Sequence, residues 1–222
     1  MISNEQAENF EKYKDLLLEW NKVMNLTAVI EEKEVIIKHF VDSLTCAKYI
    51  DANQKVIDVG SGAGFPGIPL KIFYGEQIDV SLVDALAKRL KFLDTVIEKL
   101  KLRKTITIHA RAEDIGNNKA HREQYDVVVS RAVADLAILV EYCLPLAKNG
   151  GSMLAMKGKT PEEEIESAKK AIEVLGGKIE TIERIDLPTT DISHTIIVIR
   201  KVKNTPLGYP RKAGKVEKSP IR

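Results

Sequence analysis

Apolar residues at helical spacing open the chain. Phe10, Tyr13, Leu17 and Trp20 share one stripe within residues 5–20, and Ile36, Phe40, Leu44 and Ala47 share another within 33–50, so two amphipathic helices are predicted. Between them WNKVMNLTAV (20–29) breaks the period with Asn21, Asn25 and Thr27, whose side chains bond turn backbone, and predicts a loop. From Lys55 the rhythm changes to short apolar runs separated by helix-length stretches. The runs are VIDV (56–59), IDVSLV (78–83), TITIH (105–109), YDVVVS (125–130), SMLAMK (152–157), KIETIERI (178–185) and HTIIVIR (194–200). Seven strands in that alternation imply βαβ units and a parallel sheet. Between the second and third, Leu86, Leu90, Leu93, Ile97 and Leu100 form a helix stripe with lysines and arginines elsewhere on its surface. Between the fifth and sixth, Thr160, Pro161 and Glu163 fit N-cap, first-turn and capping-box positions, and Gly176 follows the last turn. The last two runs are joined by DLPTTDIS, too short for a parallel crossover, so they pair antiparallel.

The fold predicted is therefore α/β: a seven-stranded, mostly parallel sheet with an antiparallel last strand behind an N-terminal helical extension. This arrangement resembles the class I methyltransferase core, a Rossmann-like fold. The divisions expected are 1–53 for the extension, 54–203 for the core and 204–222 for a C-terminal tail. At 222 residues the chain can bury one sizeable core. A hydrophobic share of 44% beside 30% charged residues argues against disordered and membrane classes. The segment MISNEQAENFEKYK is polar and acidic where a signal peptide is basic and then apolar, so a cytoplasmic protein is expected. Cys46 and Cys143 sit in apolar helical patterns without further ligands at metal spacing, and are read as buried thiols.

Charge changes this picture at one end. Residues 200–222 hold eight basic side chains against one acid, a formal +7 on a chain of net +2. Clustered Lys and Arg beside an acidic body fit a polyanionic partner engaged locally. A solvated, frayed terminus fits the charge equally well.

The segment VIDVGSGAGFPGIPL (56–70) puts Gly60, Gly62, Gly64 and Gly67 at the first strand-to-helix turn, the switch point at which open α/β sheets bind ligands. Glycine spacing alone does not separate a methyltransferase from a dinucleotide-binding protein. Asp58 does: an acid there resembles the methyltransferase motif, where it helps hold the cationic methionine end of the cofactor, whereas a pyrophosphate loop gains nothing from it. Asp84 ends the second strand where an acid accepts ribose hydroxyls, or else caps the next helix. Ala112-Glu113-Asp114 resembles the segment beside the adenine ring, though a solvent-facing acid explains Glu113 as well. The cofactor so implied is S-adenosylmethionine, with no metal.

The acceptor is narrowed by absent motifs. After the fourth strand, Ser130-Arg131-Ala132-Val133-Ala134-Asp135 lacks the Pro-Pro-aromatic element of exocyclic-amine methylases, and no cysteine is placed to activate a pyrimidine ring. An intrinsically nucleophilic acceptor such as guanine N7 is left, for which no general base is expected. GSGAGFPGIPL (60–70), SRAVADL (130–136), MKGK (156–159) and TPLGYPRKAG (205–214), with WNKVMNLT and KHFVDSL (38–44) in front, resemble the bacterial 16S ribosomal RNA guanine-N7 methyltransferase family, also called the glucose-inhibited division protein B family. The resemblance runs from about residue 16 to the end of the sequence. It implies methylation of guanine N7 in 16S ribosomal RNA of the small subunit by a monomer, with cofactor contacts at Gly60, Phe65, Ala112, Glu113 and Arg131 and with Asp84 at the ribose. Arg131 as a structural partner of Asp135 is the competing reading. Lys157, Lys159, Arg211, Lys212 and Lys215 are the expected phosphate contacts. His39, Asn25 and His194 are candidates for the acceptor pocket, each with a plain structural explanation beside it, and Tyr209 is either a stacking platform or an anchor for the tail. A class I methyltransferase acting on a protein or a small molecule is the alternative; RNA binding that weakens steeply with salt separates the two.

Overall fold

The computed structural model describes residues 2–131 and 133–222. Helix α1 (Asn4–Met24) starts at a capping box: the Ser3 hydroxyl accepts from the Gln6 N–H, and the Gln6 side chain accepts from the Ser3 N–H. It runs beyond Trp20 into the predicted loop and stops at Asn25 in the left-handed conformation. Asn21 does not interrupt it. Its side-chain amide instead bonds both the Thr27 carbonyl and the Thr27 N–H at 2.9 Å, fixing how the chain leaves the helix.

The second predicted helix is a composite of α2 (Glu32–Val35), a π-helical segment (Ile36–Val41), α3 (Asp42–Leu44) and a 3₁₀ turn (Ala47–Tyr49). The π turn changes the buried face. Val35 and Phe40, five residues apart, are the buried pair, while Ile36 is 42% exposed.

The core runs β1 (Lys55–Val59), α4 (Gly67–Tyr74), β2 (Asp79–Asp84), α5 (Ala87–Lys99), β3 (Thr105–His109), α6 (Ala112–Asn117), β4 (Tyr125–Arg131), α7 (Leu136–Cys143), β5 (Ala147–Lys157), α8 (Glu162–Val174), β6 (Gly177–Asp186) and β7 (Ser193–Lys201). Strand order is β3-β2-β1-β4-β5-β7-β6, with β7 antiparallel to both neighbours and the remaining pairs parallel. This is the fold class the sequence predicts. The chain winds one way from β1 through β3 and the other from β4, so the crevice lies between the carboxyl ends of β1 and β4. Alternate strand residues feed two cores. Tyr13, Phe40, Leu82 and Phe92 belong to one, and Val128, Leu139, Ala168 and Val216 to the other.

Two helix starts differ from expectation. Leu86 is the N-cap of α5 and is exposed, with Phe92 and Val96 taking its place in the buried stripe. Helix α8 begins at Glu162 with Pro161 as N-cap and no side-chain cap bond, so the Thr160–Glu163 box does not form.

The tail is folded against the core. The Arg122 guanidinium donates to the carbonyls of Gly116, Thr205, Pro206 and Tyr209, and Asn117 donates to that of Pro210. Arg211 meets the fully buried Glu141 through Nε and Nη2 at 2.6–2.8 Å, with its backbone N–H on the same carboxylate. Helix α9 (Ala213–Lys218) follows, with Val216 fully buried. Arg211 is thus a structural residue rather than a free phosphate contact. Replacing it with Met leaves the Glu141 charge buried without its partner, and should lower unfolding stability by about 3 kcal/mol in urea melts. Lys212→Met, on the exposed side, should stay within about 0.5 kcal/mol.

Candidate active site

The turn after β1 is held from below. The N–H groups of Gly60 and Ser61 both donate to the Val83 carbonyl at 2.9 Å, and the Ser61 hydroxyl donates to the Asp58 carbonyl. Two glycines of this turn have different reasons to be there. At Gly62 (φ +59°) an added Cβ meets nothing nearer than the Gly60 oxygen at 3.9 Å, so its face is open to a ligand. At Gly64 (φ +102°) a Cβ falls 2.8 Å from the Tyr13 hydroxyl and 2.7 Å from Ile68, so the missing side chain admits protein. The Tyr13 hydroxyl donates to the Ala63 carbonyl at 2.6 Å from complete burial. Gly64 therefore packs the loop onto α1, and the expectation that it faces a cofactor is corrected.

Asp58 is corrected in the same way. It lies fully buried beneath the loop, outside the cavity lining, where Oδ2 accepts the Gly67 N–H at 2.9 Å and Oδ1 has no partner. Burial pushes its carboxyl up to about 7, with Asp84 adding to the rise, although the Gly67 hydrogen bond and the Arg131 charge pull the other way. It organises the loop and reaches any ligand only through its field.

Above the loop is a cavity of about 500 Å³. Gly60, Gly62, Phe65, Asp84, Ala112, Glu113 and Arg131, separated along the chain, all line it. Asp84 is held in place: Oδ1 accepts the Leu86 N–H at 2.8 Å, and Oδ2 accepts the Gly62 N–H at 3.0 Å and faces Arg89 at 3.3 Å. Asp84 does not cap α5, whose N-cap is Leu86 without a side-chain cap bond; its fixed carboxylate lines the cavity instead. Glu113 is buried on α6, near Tyr142 and Glu217 of α9 at one end of the cavity.

At the other end His39 stacks on Phe65 with ring centroids 4.4 Å apart, and the Arg131 guanidinium lies 4.9 Å over the same ring. The Thr27 hydroxyl and His39 Nε2 are 2.7 Å apart. Burial, and after it the Arg131 charge, push the His39 imidazole down to about 4, so it is neutral at pH 7. Asn25, the exposed helix terminator, is not in the lining; its neighbours Leu26 and Thr27 are.

Arg131 pairs with Asp42 at 2.7 Å and not with Asp135, whose side chain caps α7. Asp42 Oδ1 is 2.6 Å from His194 Nδ1 on β7. Burial raises the Asp42 carboxyl, but His194 and Arg131 outweigh it and hold it below the usual carboxylate range. Beyond this pair lies a second cleft of about 230 Å³, reaching Lys157, Glu164 and His194.

The expected phosphate contacts divide. Lys159, Lys212 and Lys215 are exposed. The Lys157 side chain is only 9% exposed, 2.6 Å from Glu164 and donating to the Ala134 carbonyl at 2.7 Å, so it is not a free surface cation. Tyr209 packs against the second core beside Arg211, as an anchor of the tail.

The family described as rRNA small subunit methyltransferase G matches residues 6–192. A curated protein of that description from Alkaliphilus oremlandii is 54% identical over 100% of this chain and 93% of its own length. Another, from Acetivibrio thermocellus, is 52% identical over 99% of this chain and 90% of its own. The chain belongs to the rRNA small subunit methyltransferase G family.

More distant solved structures share the fold with this family member. A SAM-dependent methyltransferase from Aquifex aeolicus superposes with a TM-score of 0.56 at 15% identity, covering 74% of this chain and 92% of its own. TYW2 of M. jannaschii, solved with AdoMet, gives 0.58 at 18% identity over 73% and 75%.

Several residues of the site escaped the sequence. Tyr13 looked like one more stripe residue, and Asp42 lay inside a motif, KHFVDSL, without a role. Glu217 looked like the lone acid of a basic tail. Their partners are far away along the chain, so no local pattern announces them; only the period-breaking polar cluster at 21–27 hinted that the chain was being positioned.

Asp58 makes a prediction about pH. The unfolded chain ionises this carboxyl near pH 4, the folded protein near 7, so folding stability falls as pH rises across that window. Asp58→Asn keeps an oxygen for the Gly67 N–H and removes the dependence. Thermal melts of the ligand-free protein from pH 4 to 8 should show the variant gaining on wild type as pH rises; parallel curves would mean Asp58 titrates normally.

Proposed function

We propose that this chain transfers the methyl group of S-adenosylmethionine to N7 of a guanine in 16S ribosomal RNA of the small subunit. The observation that carries the reading is the convergence, on one cavity at the β1/β4 crevice, of an open glycine face, a fixed carboxylate at the end of β2 and an Arg-covered aromatic ring. Its donor set suits the cofactor. Asp84 is positioned to accept from ribose hydroxyls, and Ala112 and Glu113 would flank the adenine. The bound cofactor supplies an electrophilic methyl group.

The protein then has to align the acceptor and exclude water. Guanine N7 carries no proton, so nothing in the site needs to remove one, and His39, held near 4, would be a poor base at neutral pH. The exposed Lys159, Lys212 and Lys215 would meet phosphates. The reaction would take place in the cytoplasm, where ribosomal RNA is found. No helix among the described residues is long and apolar enough to cross a membrane.

Labelled methyl transfer from S-adenosylmethionine to small subunits lacking the modification should appear as 7-methylguanosine on nucleoside analysis. Label in protein, or in another nucleoside, would overturn the acceptor assignment. Gly62→Asp sets a second carboxylate beside Asp84 in a left-handed position, and should weaken cofactor binding more than about tenfold by calorimetry. Unchanged affinity would displace the cofactor from this loop.

A further inference from the structure

The second cleft shares Arg131 with the main cavity, and its lining includes Asp42, Met156, Lys157, Glu164 and His194. Its polar groups are nearly all committed. Asp42 spends one oxygen on Arg131, and its other lies 2.6 Å from His194 Nδ1, a buried nitrogen that completes no hydrogen bond. Lys157 Nζ donates to the Ala134 carbonyl and is ion-paired with Glu164 Oε2 at 2.6 Å, which leaves it a further N–H for a ligand. Glu164 Oε2 also accepts the Leu136 N–H at 2.9 Å. Among the described residues no group donates to Glu164 Oε1. Apart from the buried His194 Nδ1, which faces Asp42, what the cleft has left is one ammonium donor beside one carboxylate acceptor, paired with each other.

A guanine presents the matching pair on adjacent atoms: O6 accepts and N1–H donates. Adenine presents the reverse, an amino donor beside a bare N1. The order of atoms round the guanine rim is N7, O6, N1. Arg131 on β4 lines the same cleft, Lys157 follows Met156, the register partner of Arg131 on β5, and the Lys157 ammonium and the Glu164 carboxylate meet at the connection after β4, on the Ala134 carbonyl and the Leu136 N–H. We infer that Lys157 and Glu164 read O6 and N1–H of the acceptor guanine, which turns N7 towards Arg131 and the main cavity. The inference rests on the reading of the protein as a guanine-N7 methyltransferase. It also explains why Lys157 is drawn into the protein rather than left on the surface: a base extruded from its stack is recognised inside a closed pocket by its Watson–Crick edge.

The test exploits the geometry of Glu164. Two donors converge on Oε2, so in Glu164→Gln the amide oxygen takes that place and the NH₂ faces the base, donor against N1–H. With the full-length protein saturated by S-adenosylhomocysteine, calorimetry on GMP and AMP should show wild type preferring GMP. Glu164→Gln should lose about 10- to 100-fold in GMP affinity while AMP affinity holds or rises. Lys157→Met should lose GMP affinity likewise and stands in if the first variant fails to fold. Cofactor affinity should be unchanged in both. Equal binding of GMP and AMP by wild type, or a GMP preference that survives both substitutions, would overturn the inference. Because nucleotide binding is measured without methyl transfer, this result is independent of whether 7-methylguanosine appears in subunits.

Discussion

The pairing of Arg131 with Asp42 is the interaction on which the site depends. Its two side chains are 17% and 11% exposed, separated by 89 positions in sequence, and in contact at 2.7 Å. Through Asp42 the pair reaches His194 on β7; through Arg131 it reaches the Lys38 carbonyl and the face of Phe65 in the glycine loop. One ion pair thus ties the N-terminal helices, the end of β4, the antiparallel strand and the loop. A partly buried pair of this kind adds little net stability, because desolvation offsets most of the attraction, but either charge alone would be costly. What the pair supplies is position. It sets a cation at the boundary between two clefts and prevents it from closing either.

The glycine loop depends on its surroundings in the same sense. Tyr13 holds it from α1 through the Ala63 carbonyl and occupies the space that Gly64 leaves empty, with Phe40 stacked 5.3 Å behind. Asp58 holds it from β1 at the expense of an oxygen that finds no donor. A buried carboxyl with one unsatisfied oxygen is unfavourable in an apolar surrounding. It persists because the Gly67 N–H at the start of α4 needs an acceptor there, and because Arg131 and the loop dipoles make the site tolerable.

Most of the fold was legible from local signals. Strand runs and the helix-free DLPTTDIS connection were sufficient for the parallel sheet and its antiparallel closure, since both follow from period and loop length. The acid at the end of β2 was legible because strand ends at a switch point are geometrically special. What failed was whatever depended on a partner distant in sequence. Arg211 and Lys157 look like free cations until Glu141 and Glu164 are seen against them. Asp58 looks like a ligand contact until the loop is seen to lie over it. The π turn at Ile36–Val41 was illegible for another reason: it shifts the burial period inside a pattern that fits an ordinary helix about as well.

Charge counted along a chain is therefore not charge available to a partner. Of the eight cations between residues 200 and 222, Arg200 faces Glu180, Lys201 is fully buried near Glu123, and Arg211 is taken by Glu141. Those three build the protein. Lys203, Lys212, Lys215, Lys218 and Arg222 remain on the exposed surface, and three of them lie on or next to α9. The same helix sends Glu217 into the lining of the main cavity. Counterion release scales with the phosphates a protein neutralises, so these five exposed cations, rather than the formal +7, are what the tail has to offer a polyanion. The helix that carries or adjoins three of these cations also sends an acid into the cavity lining, and the tail before it is attached to the buried Glu141. The exposed cations of the tail and the wall of the cavity accordingly share one structural element, held to the core through Arg211.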